Sequence, residues 1–270
     1  DGGAVPWLDQ AGTGSWRIAP DAPADCRDLF SLYLPLCAGG AHGRWVVAHL
    51  GQSLDGCIAT RSGDSCFVTG HANIVHLHRM RALCDAVLVG AGTVASDDPR
   101  LTTRLVPGPN PIRVVLDPRR RLADGYRVFH DGAAPTLLCV AADQTGPAPG
   151  NAELLRVPAT ADGLRLDALV TTLAARGLRR LFVEGGGVTV SRFLDAGLLS
   201  RLQIAVAPLL IGQGRPGLRL PPTERLSDAM RLAPRVYSMG ADLFYDVDLS
   251  KAGVGEAPRT SDAESPRRLL

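Results

Sequence analysis

The sequence predicts an α/β fold with a mainly parallel central sheet flanked by helices and completed by antiparallel C-terminal strands. Short apolar runs alternate with helical patterns between residues 45 and 207. A parallel sheet needs that alternation, because each strand reaches the next through a crossover that covers one face. Beyond Leu202 the alternation stops: two strand candidates, 202–211 and 243–249, follow with no helical pattern between them. Antiparallel strands tolerate such direct succession.

In chain order, residues 1–43 mix Gly, Pro and Asp around one apolar run, 29–37, without a sustained period. An extended, loosely packed N-terminal arm is expected there. Strands are expected at 45–50, 86–89, 112–116, 136–140, 181–183 and 202–207. A helix should begin after Thr69, whose hydroxyl suits an N-cap, with Ile74, Leu77 and Arg81 along one stripe. Another should cover 167–176, where Leu166, Leu169, Val170 and Leu173 recur at helical spacing and Gly177 marks the stop. Residues 251–270 combine Gly, Pro, Ser and charges with almost no apolar content, the composition of a disordered tail. One domain, 44–250, lies between, a length that supports a single large core.

With 29 basic and 27 acidic side chains the formal charge is only +2, too weak a field to gather nucleic acid or an anionic membrane. No apolar run approaches the roughly 18 residues of a membrane span. Six cysteines, at 26, 37, 57, 66, 84 and 139, stand singly, without CxxC spacing, which fits a reducing cytoplasm. His71, His76 and His78 suggest a metal site. However, 76 and 78 are two apart and leave a helix on different sides, so surface histidines and no metal are expected. The sequence has no His-x-Glu with Pro-Cys-x-x-Cys, no Gly-x-Ser-x-Gly and no Walker loop.

The segment Arg180-Leu-Phe-Val-Glu184-Gly185-Gly186-Gly187-Val-Thr189-Val-Ser191 reads as a buried strand, a glycine turn and an immediate helix. Such a turn lets backbone N–H groups approach a pyrophosphate at a helix N-terminus, or it serves tight packing, and the segment alone does not choose. A second strand-to-turn segment, Val87-Leu-Val-Gly90-Ala-Gly92-Thr93-Val94, follows the same logic. In a parallel sheet the two turns share the carboxyl edge, where open α/β sheets bind ligands. The charged stretch 96–104 is either a solvated loop or a source of Arg104, which with Arg81 could grip a phosphate. On the first strand Trp45, Val47 and His49 share a face, and the chain then turns through Ser53-Leu-Asp55-Gly56. His49 and Asp55 are candidates to orient a substrate; the alternative is an Asp-Gly turn beneath a satisfied histidine.

Taken in order, His49-Leu-Gly-Gln-Ser-Leu-Asp-Gly56, Ser62-Gly-Asp-Ser65-Cys-Phe-Val-Thr-Gly70, Arg81-Ala, Val89-Gly-Ala-Gly-Thr-Val94, Asp97-Asp-Pro-Arg-Leu-Thr-Thr-Arg104 and Val183-Glu-Gly-Gly-Gly187 resemble the RibD C-terminal family. This is the reductase half of the bifunctional riboflavin-biosynthesis deaminase/reductase. The resemblance runs from Trp45 to Leu249. It implies a dihydrofolate-reductase-like fold, commonly dimeric, with NADPH as cofactor. The implied reaction reduces the ribosyl group of 5-amino-6-(5-phosphoribosylamino)uracil to a ribityl chain, with hydride reaching C1 of the opened sugar.

By motif, the resemblance places Gly51, Phe67, Thr69, Thr93, Asp97 and the turn Gly186, Gly187, Val188, Thr189, Val190, Ser191 and Arg192 where the family contacts NADPH. It places Ser65, Arg81, Leu101, Arg104 and Glu184 where the family contacts substrate, the Ser and the two Arg near its phosphate. Glu184 can accept hydrogen bonds from a pyrimidine's N–H groups. The hydride chemistry belongs to the cofactor, so the protein mainly aligns the reactants, with His49, Asp55 and Glu184 expected closest to the chemistry.

Three features depart from the family pattern. His49, a weaker and pH-dependent cation, stands where a Lys is usual. Pro118 replaces a Ser that often contacts NADP, although Arg119, Arg120 and Arg121 follow, either as a solvated run or as a 2′-phosphate site. The 43 residues before Arg44 carry no zinc signature, so a separate deaminase partner, or another pathway, is expected. Reduction of another pteridine or pyrimidine such as dihydrofolate, and NADPH binding without catalysis, are the alternative functions.

Overall fold

Runs of Val, Leu, Ile and Ala form the strands of one nine-stranded sheet in a computed structural model that describes residues 7–10, 16–39, 43–66 and 68–249. Phe67 and the expected tail at 251–270 lie outside the described residues. The strands are β1 (Trp45–Ser53), β2 (Ala86–Gly90), β3 (Ile112–Leu116), β4 (Thr136–Ala141), β5 (Glu153–Val157), β6 (Arg180–Glu184), β7 (Arg201–Ala207), β8 (Arg235–Met239) and β9 (Asp242–Asp248). Their spatial order is β8-β9-β7-β1-β6-β2-β3-β4-β5. From β7 to β5 every neighbouring pair is parallel, whereas β9 runs antiparallel to both β7 and β8. The expected mainly parallel sheet with antiparallel C-terminal strands is therefore present.

Helices α1 (Ala24–Gly39), α2 (His71–Leu83), α3 (Ala91–Asp97), α4 (Leu166–Ala175) and α5 (Gly187–Asp195) accompany the sheet. The strand period of two divides β1 between two cores. Val46, Ala48 and Leu50 join Leu169, Leu173 and Phe193 of α4 and α5 on one face, while Val47 joins Leu36 and Met80 of α1 and α2 on the other. Helix α4 buries the four residues whose spacing predicted it, and Gly177 beyond it has φ +85°, the left-handed region that glycine enters freely.

Four expectations are corrected. Residues 24–39 form a helix rather than part of an extended arm. Its apolar residues show no sustained period, and the interior Pro35 costs about 3 kcal/mol, but Leu32 and Leu36, one turn apart, are both buried. Each fully buried Leu contributes about 1.5–3 kcal/mol, enough together to offset the proline. Helix α2 is preceded by Gly70, not Thr69, as its N-cap; the Thr69 hydroxyl instead accepts a hydrogen bond from Asn73.

His76 and His78 are buried rather than surface residues, because α2 is covered on two sides. The sheet takes His76, whose Nε2 bonds Gln203 of β7. The loop before β3 takes His78, whose Nδ1 accepts the Arg104 backbone N–H. Finally, the strand expected from 202 ends at Ala207, the nearer of its two expected bounds, and β8 joins β9 where no strand was expected.

Because all strands from β7 to β5 point the same way, the carboxyl ends of β1, β6, β2 and β3 open on one edge. The chain leaves β1, builds β2 to β5 outward, and returns to insert β6 between β1 and β2. The carboxyl edge of such a sheet is where a ligand crevice forms. No helix among the described residues is long and apolar enough to cross a membrane.

Candidate active site

A cavity of about 950 Å³ occupies that edge, a size at the upper end of small-molecule sites. Its inner part lies between β1, β6 and α2, bordered by His49, Glu184, Asn73, Leu77 and Leu101. Its outer part runs along the two glycine turns, Gly90 to Thr93 and Gly185 to Thr189, toward Arg119 and Arg121. The parallel register sets Glu184 directly beside His49, so the inner pocket brings together two residues 135 positions apart in the chain.

The glycine turn serves both of the uses that its sequence left open. Gly185 and Gly186 have φ +82° and +73°, and a Cβ on Gly185 would meet nothing nearer than Thr93 at 4.0 Å. Backbone there is open to a ligand. Gly187 is a packing glycine, since its Cβ would lie 1.9 Å from the Gly217 carbonyl oxygen. Helix α5 begins at Gly187, and the N–H groups of Gly187 and Val188, which precede its first backbone bonds from Thr189 and Val190 to Gly186 O, add positive partial charge at the cavity.

The segment 215–219 closes the outer side. Arg215–Pro216 pairs antiparallel with Cys57–Ala59, the Gly217 N–H donates to Gly56 O, and the Arg219 N–H donates to Ser191 Oγ at 2.7 Å. This strap carries Arg215 and Arg219 to the cavity. Sequence reasoning missed both, and no local signal marks them, because long-range pairing alone brings the strap to α5. It also missed Asn73, which does carry a signal: an amide four residues after Thr69, within the part of α2 that faces the core.

Of the expected site residues, His49, Gly51, Ser65, Thr69, Thr93, Asp97, Leu101, Glu184, Gly186, Gly187, Val188, Thr189 and Arg192 all border the cavity. Asp55, Val190 and Ser191 have other surroundings. Asp55 turns to the loop after β7, accepting hydrogen bonds from Ser53 Oγ and from the backbone N–H groups of Ile211 and Gly212. Those bonds hold its pKa down to about 2, so the Asp-Gly turn reading applies to it. Val190 is buried in the core under β1. The Ser191 hydroxyl is used by the strap.

Arg81 and Glu184 engage each other at the wall of the cavity. Arg81 Nε donates to Glu184 Oε2 at 2.7 Å, its second terminal nitrogen donates to Oε1, and the third donates to Thr102 O at 2.9 Å. The two side chains are only 9% and 13% exposed. In so dry a place a fork-to-fork pair satisfies both charges at once. Arg104 donates to Thr102 Oγ1 at 2.6 Å. Within the arginine run, Arg120 bonds Thr145 O and Pro147 O, leaving Arg119 and Arg121 at the cavity.

His49 is 3% exposed. Burial pushes its pKa down to about 4, against the raising effects of the Asn73 hydrogen bond and the Glu184 charge. It is therefore neutral at pH 7, which corrects the expectation of a pH-dependent cation.

Comparison with known proteins agrees with this geometry. The model of the RibD C-terminal domain matches residues 44–234. The 2,5-diamino-6-ribosylamino-4(3H)-pyrimidinone 5′-phosphate reductase of Methanothermobacter thermautotrophicus is 36% identical over 213 residues, 75% of this chain and 96% of that protein. The riboflavin biosynthesis protein RibD of Bacillus amyloliquefaciens is 34% identical over 172 residues, 62% of this chain and 46% of that protein. The chain thus spans about half of RibD. Among solved structures, a diaminohydroxyphosphoribosylaminopyrimidine deaminase/5-amino-6-(5-phosphoribosylamino)uracil reductase from Thermotoga maritima aligns with TM-score 0.65 and 26% identity, covering 82% of this chain and 59% of that one. The sheet order and these relatives agree with the expected dihydrofolate-reductase-like fold. With 44–234 matched by the family model and the glycine turns, Ser65 and Glu184 gathered at one cavity, the chain belongs to the RibD C-terminal domain family.

Proposed function

We propose that the protein is an NADPH-dependent reductase of riboflavin biosynthesis, converting the ribosyl group of 5-amino-6-(5-phosphoribosylamino)uracil to ribityl. The observation that carries this reading is one continuous cavity joining a glycine cradle to a pocket that holds Glu184 and His49. A dinucleotide fits the cradle. Gly185 and Gly186 expose backbone in conformations that a side chain would strain, and a Cβ on Gly90 would strike Thr189 Oγ1 at 2.7 Å. The α5 N-terminus and the hydroxyls of Thr93 and Thr189 would hold the pyrophosphate, and Arg119 and Arg121 the 2′-phosphate. When bound, NADPH supplies the hydride.

The chain's own residues orient the other reactant. Glu184, its charge kept by Arg81, accepts N–H hydrogen bonds from the heterocycle, while Leu77 and Leu101 exclude water. Ser65 borders the cavity, and Arg215, whose guanidinium lies against Gly63, supplies a cation beside that loop. Together they take the substrate phosphate.

Purified protein should oxidise NADPH, followed by its absorbance, when this uracil is added; absence of both NADPH binding and turnover overturns the reading. Replacing Arg119 and Arg121 by Ala should weaken NADPH binding about 10–100-fold, the range for lost charge-assisted hydrogen bonds, and leave NADH binding unchanged. Equal losses for both nucleotides would remove these arginines from the 2′-phosphate site.

A second substrate, the 2,5-diaminopyrimidinone that still carries its 2-amino group, is favoured by the Methanothermobacter relative, which the chain matches almost end to end. Relative kcat/KM on the two compounds decides between them, with dihydrofolate as control.

The reading extends to a homodimer in the cytoplasm. Leu226 and Met230 are 84% and 58% exposed on the segment leading into β8, an edge strand whose partner among the described residues is β9 alone. Such a patch and edge favour a second copy. Sedimentation equilibrium should give twice the 28.5 kDa chain mass; a monomer at micromolar concentration overturns the dimer. Six free cysteines suit a reducing compartment, which cell fractionation checks.

A further inference from the structure

One polar side chain at the inner pocket has no part in the reading above. Asn73, in the first turn of α2, is 1% exposed and bridges two residues of the cavity wall. Its Oδ1 lies 2.9 Å from His49 Nε2, and its Nδ2 donates to Thr69 Oγ1 at 2.9 Å. With the amide oxygen turned to the ring, an atom that only accepts, the proton of the neutral imidazole resides on Nε2 and Nδ1 becomes the ring's acceptor.

Among the described residues no other side chain hydrogen-bonds the ring. Phe182 of β6 and Phe244 of β9 pack against it at 6.5 and 6.1 Å between centroids. His76, the nearest titratable group on α2, has both nitrogens engaged, by Tyr33 of α1 and by Gln203 of β7. Its own pKa is pushed down to about 3, chiefly by burial. Glu184 on β6 is the acidic group facing His49, and its charge is held by Arg81 of α2. Arg79, also on α2, acts on His76.

We propose that Asn73 is a positioning residue: by fixing His49 as the neutral Nε2–H tautomer, it makes His49 Nδ1 an acceptor for an N–H of the substrate's heterocycle, where the family usually has a cation. The same amide ties the ring to Thr69, which also borders the cavity. This rests on the reading of the inner pocket as the heterocycle site. It also gives that pocket a definite preference, for a ring edge that donates toward His49 and toward Glu184 together. An aminopyrimidinone, with ring and exocyclic N–H groups, has such edges.

The test begins with the unaltered protein. Nitrogen NMR of histidine-labelled protein should show His49 as the Nε2–H tautomer, neutral from pH 5.5 to 8; an Nδ1–H tautomer or an imidazolium overturns the proposal without any turnover assay. Asn73→Asp keeps an acceptor at the same place and lets the Thr69 hydroxyl donate in return, so both hydrogen bonds persist while a charge is added. An opposite charge at this distance raises a histidine pKa by about 1–3 units. His49 in the variant should therefore take up its proton at a higher pH than in the parent, with a substrate KM that rises as pH falls toward 5, a dependence the parent lacks over the same range.

Asn73→Ala should mix the two tautomers and raise substrate KM about 10-fold, the loss of roughly one hydrogen bond, with kcat within about threefold. A flat KM profile in a folded Asn73→Asp protein, or Asn73→Ala with the parent tautomer, assigns Asn73 a structural role and overturns the proposal. Failure of the parent protein to reduce any pyrimidine would count against the proposed function instead, and the NMR measurement on the parent still decides the tautomer. If Asn73→Asp does not fold, the parent spectrum and Asn73→Ala decide.

Discussion

Alanine at position 187 should remove most of the NADPH affinity. The added Cβ would lie 1.9 Å from the Gly217 oxygen and 3.0 Å from the Pro216 oxygen, and both neighbours are backbone. No rotamer change relieves such a clash, so the strap 215–219 must move. Two bonds resist that movement, Gly217 N–H to Gly56 O and Arg219 N–H to Ser191 Oγ. Overpacking of this kind costs about 1–3 kcal/mol, or about 5–150-fold if it falls on the bound state. Fluorescence titration with NADPH measures it. Gly185→Ala is the comparison: it has a left-handed φ but open space around the Cβ, so its cost is the backbone penalty of about 1–2 kcal/mol, without displacement of the strap. Unchanged affinity in Gly187→Ala would show that the strap is no wall of the cofactor site.

The second large effect is expected at Arg81. Truncation to alanine leaves the Glu184 carboxylate nearly dry and without its cation, and Thr102 O without its donor. Breaking one side of a buried pair costs about 3–5 kcal/mol, read as a lower urea midpoint at unchanged slope. Glu184→Gln should cost less, because its amide oxygen still accepts from one of the two Arg81 nitrogens. Removing both side chains should cost less than the sum of the single changes, since the shared interaction is lost only once. Additive losses would mean that the pair contributes no coupling. Substrate KM should rise in Arg81→Ala as well, because Glu184 loses the guanidinium fork that orients both of its oxygens.

Much of the sheet was legible because its signal is local. The run Ile-Arg-Val-Val-Leu has no other use than a buried strand, and β3 has the bounds expected of it. Edge strands were harder: β5 and β8 carry exposed residues on one face, so no continuous apolar run announces them. Helix α1 was hidden because its apolar residues show no sustained period; the local cost of Pro35 is plain in the chain, while the burial that outweighs it is not.

At the site, the glycine turns were legible because a left-handed φ is a demand on one residue. The partners that Asp55, Arg81 and Glu184 take within the protein were not, because each lies in a segment distant in sequence: Gly212 for Asp55 at 2.7 Å, and Glu184 for Arg81.

The sequence by itself determined the parallel sheet, its antiparallel finish, the two glycine turns on one carboxyl edge and the family to which they belong. Those follow from periodicity, from glycine's missing Cβ and from the order of motifs. Only the tertiary structure decided that Arg81 neutralises Glu184, that His49 is buried and neutral against Asn73, and that a strap with Arg215 and Arg219 closes the cleft. A side chain's charge and tautomer depend on burial and on the partner within about 3 Å, and those are properties of the assembled chain.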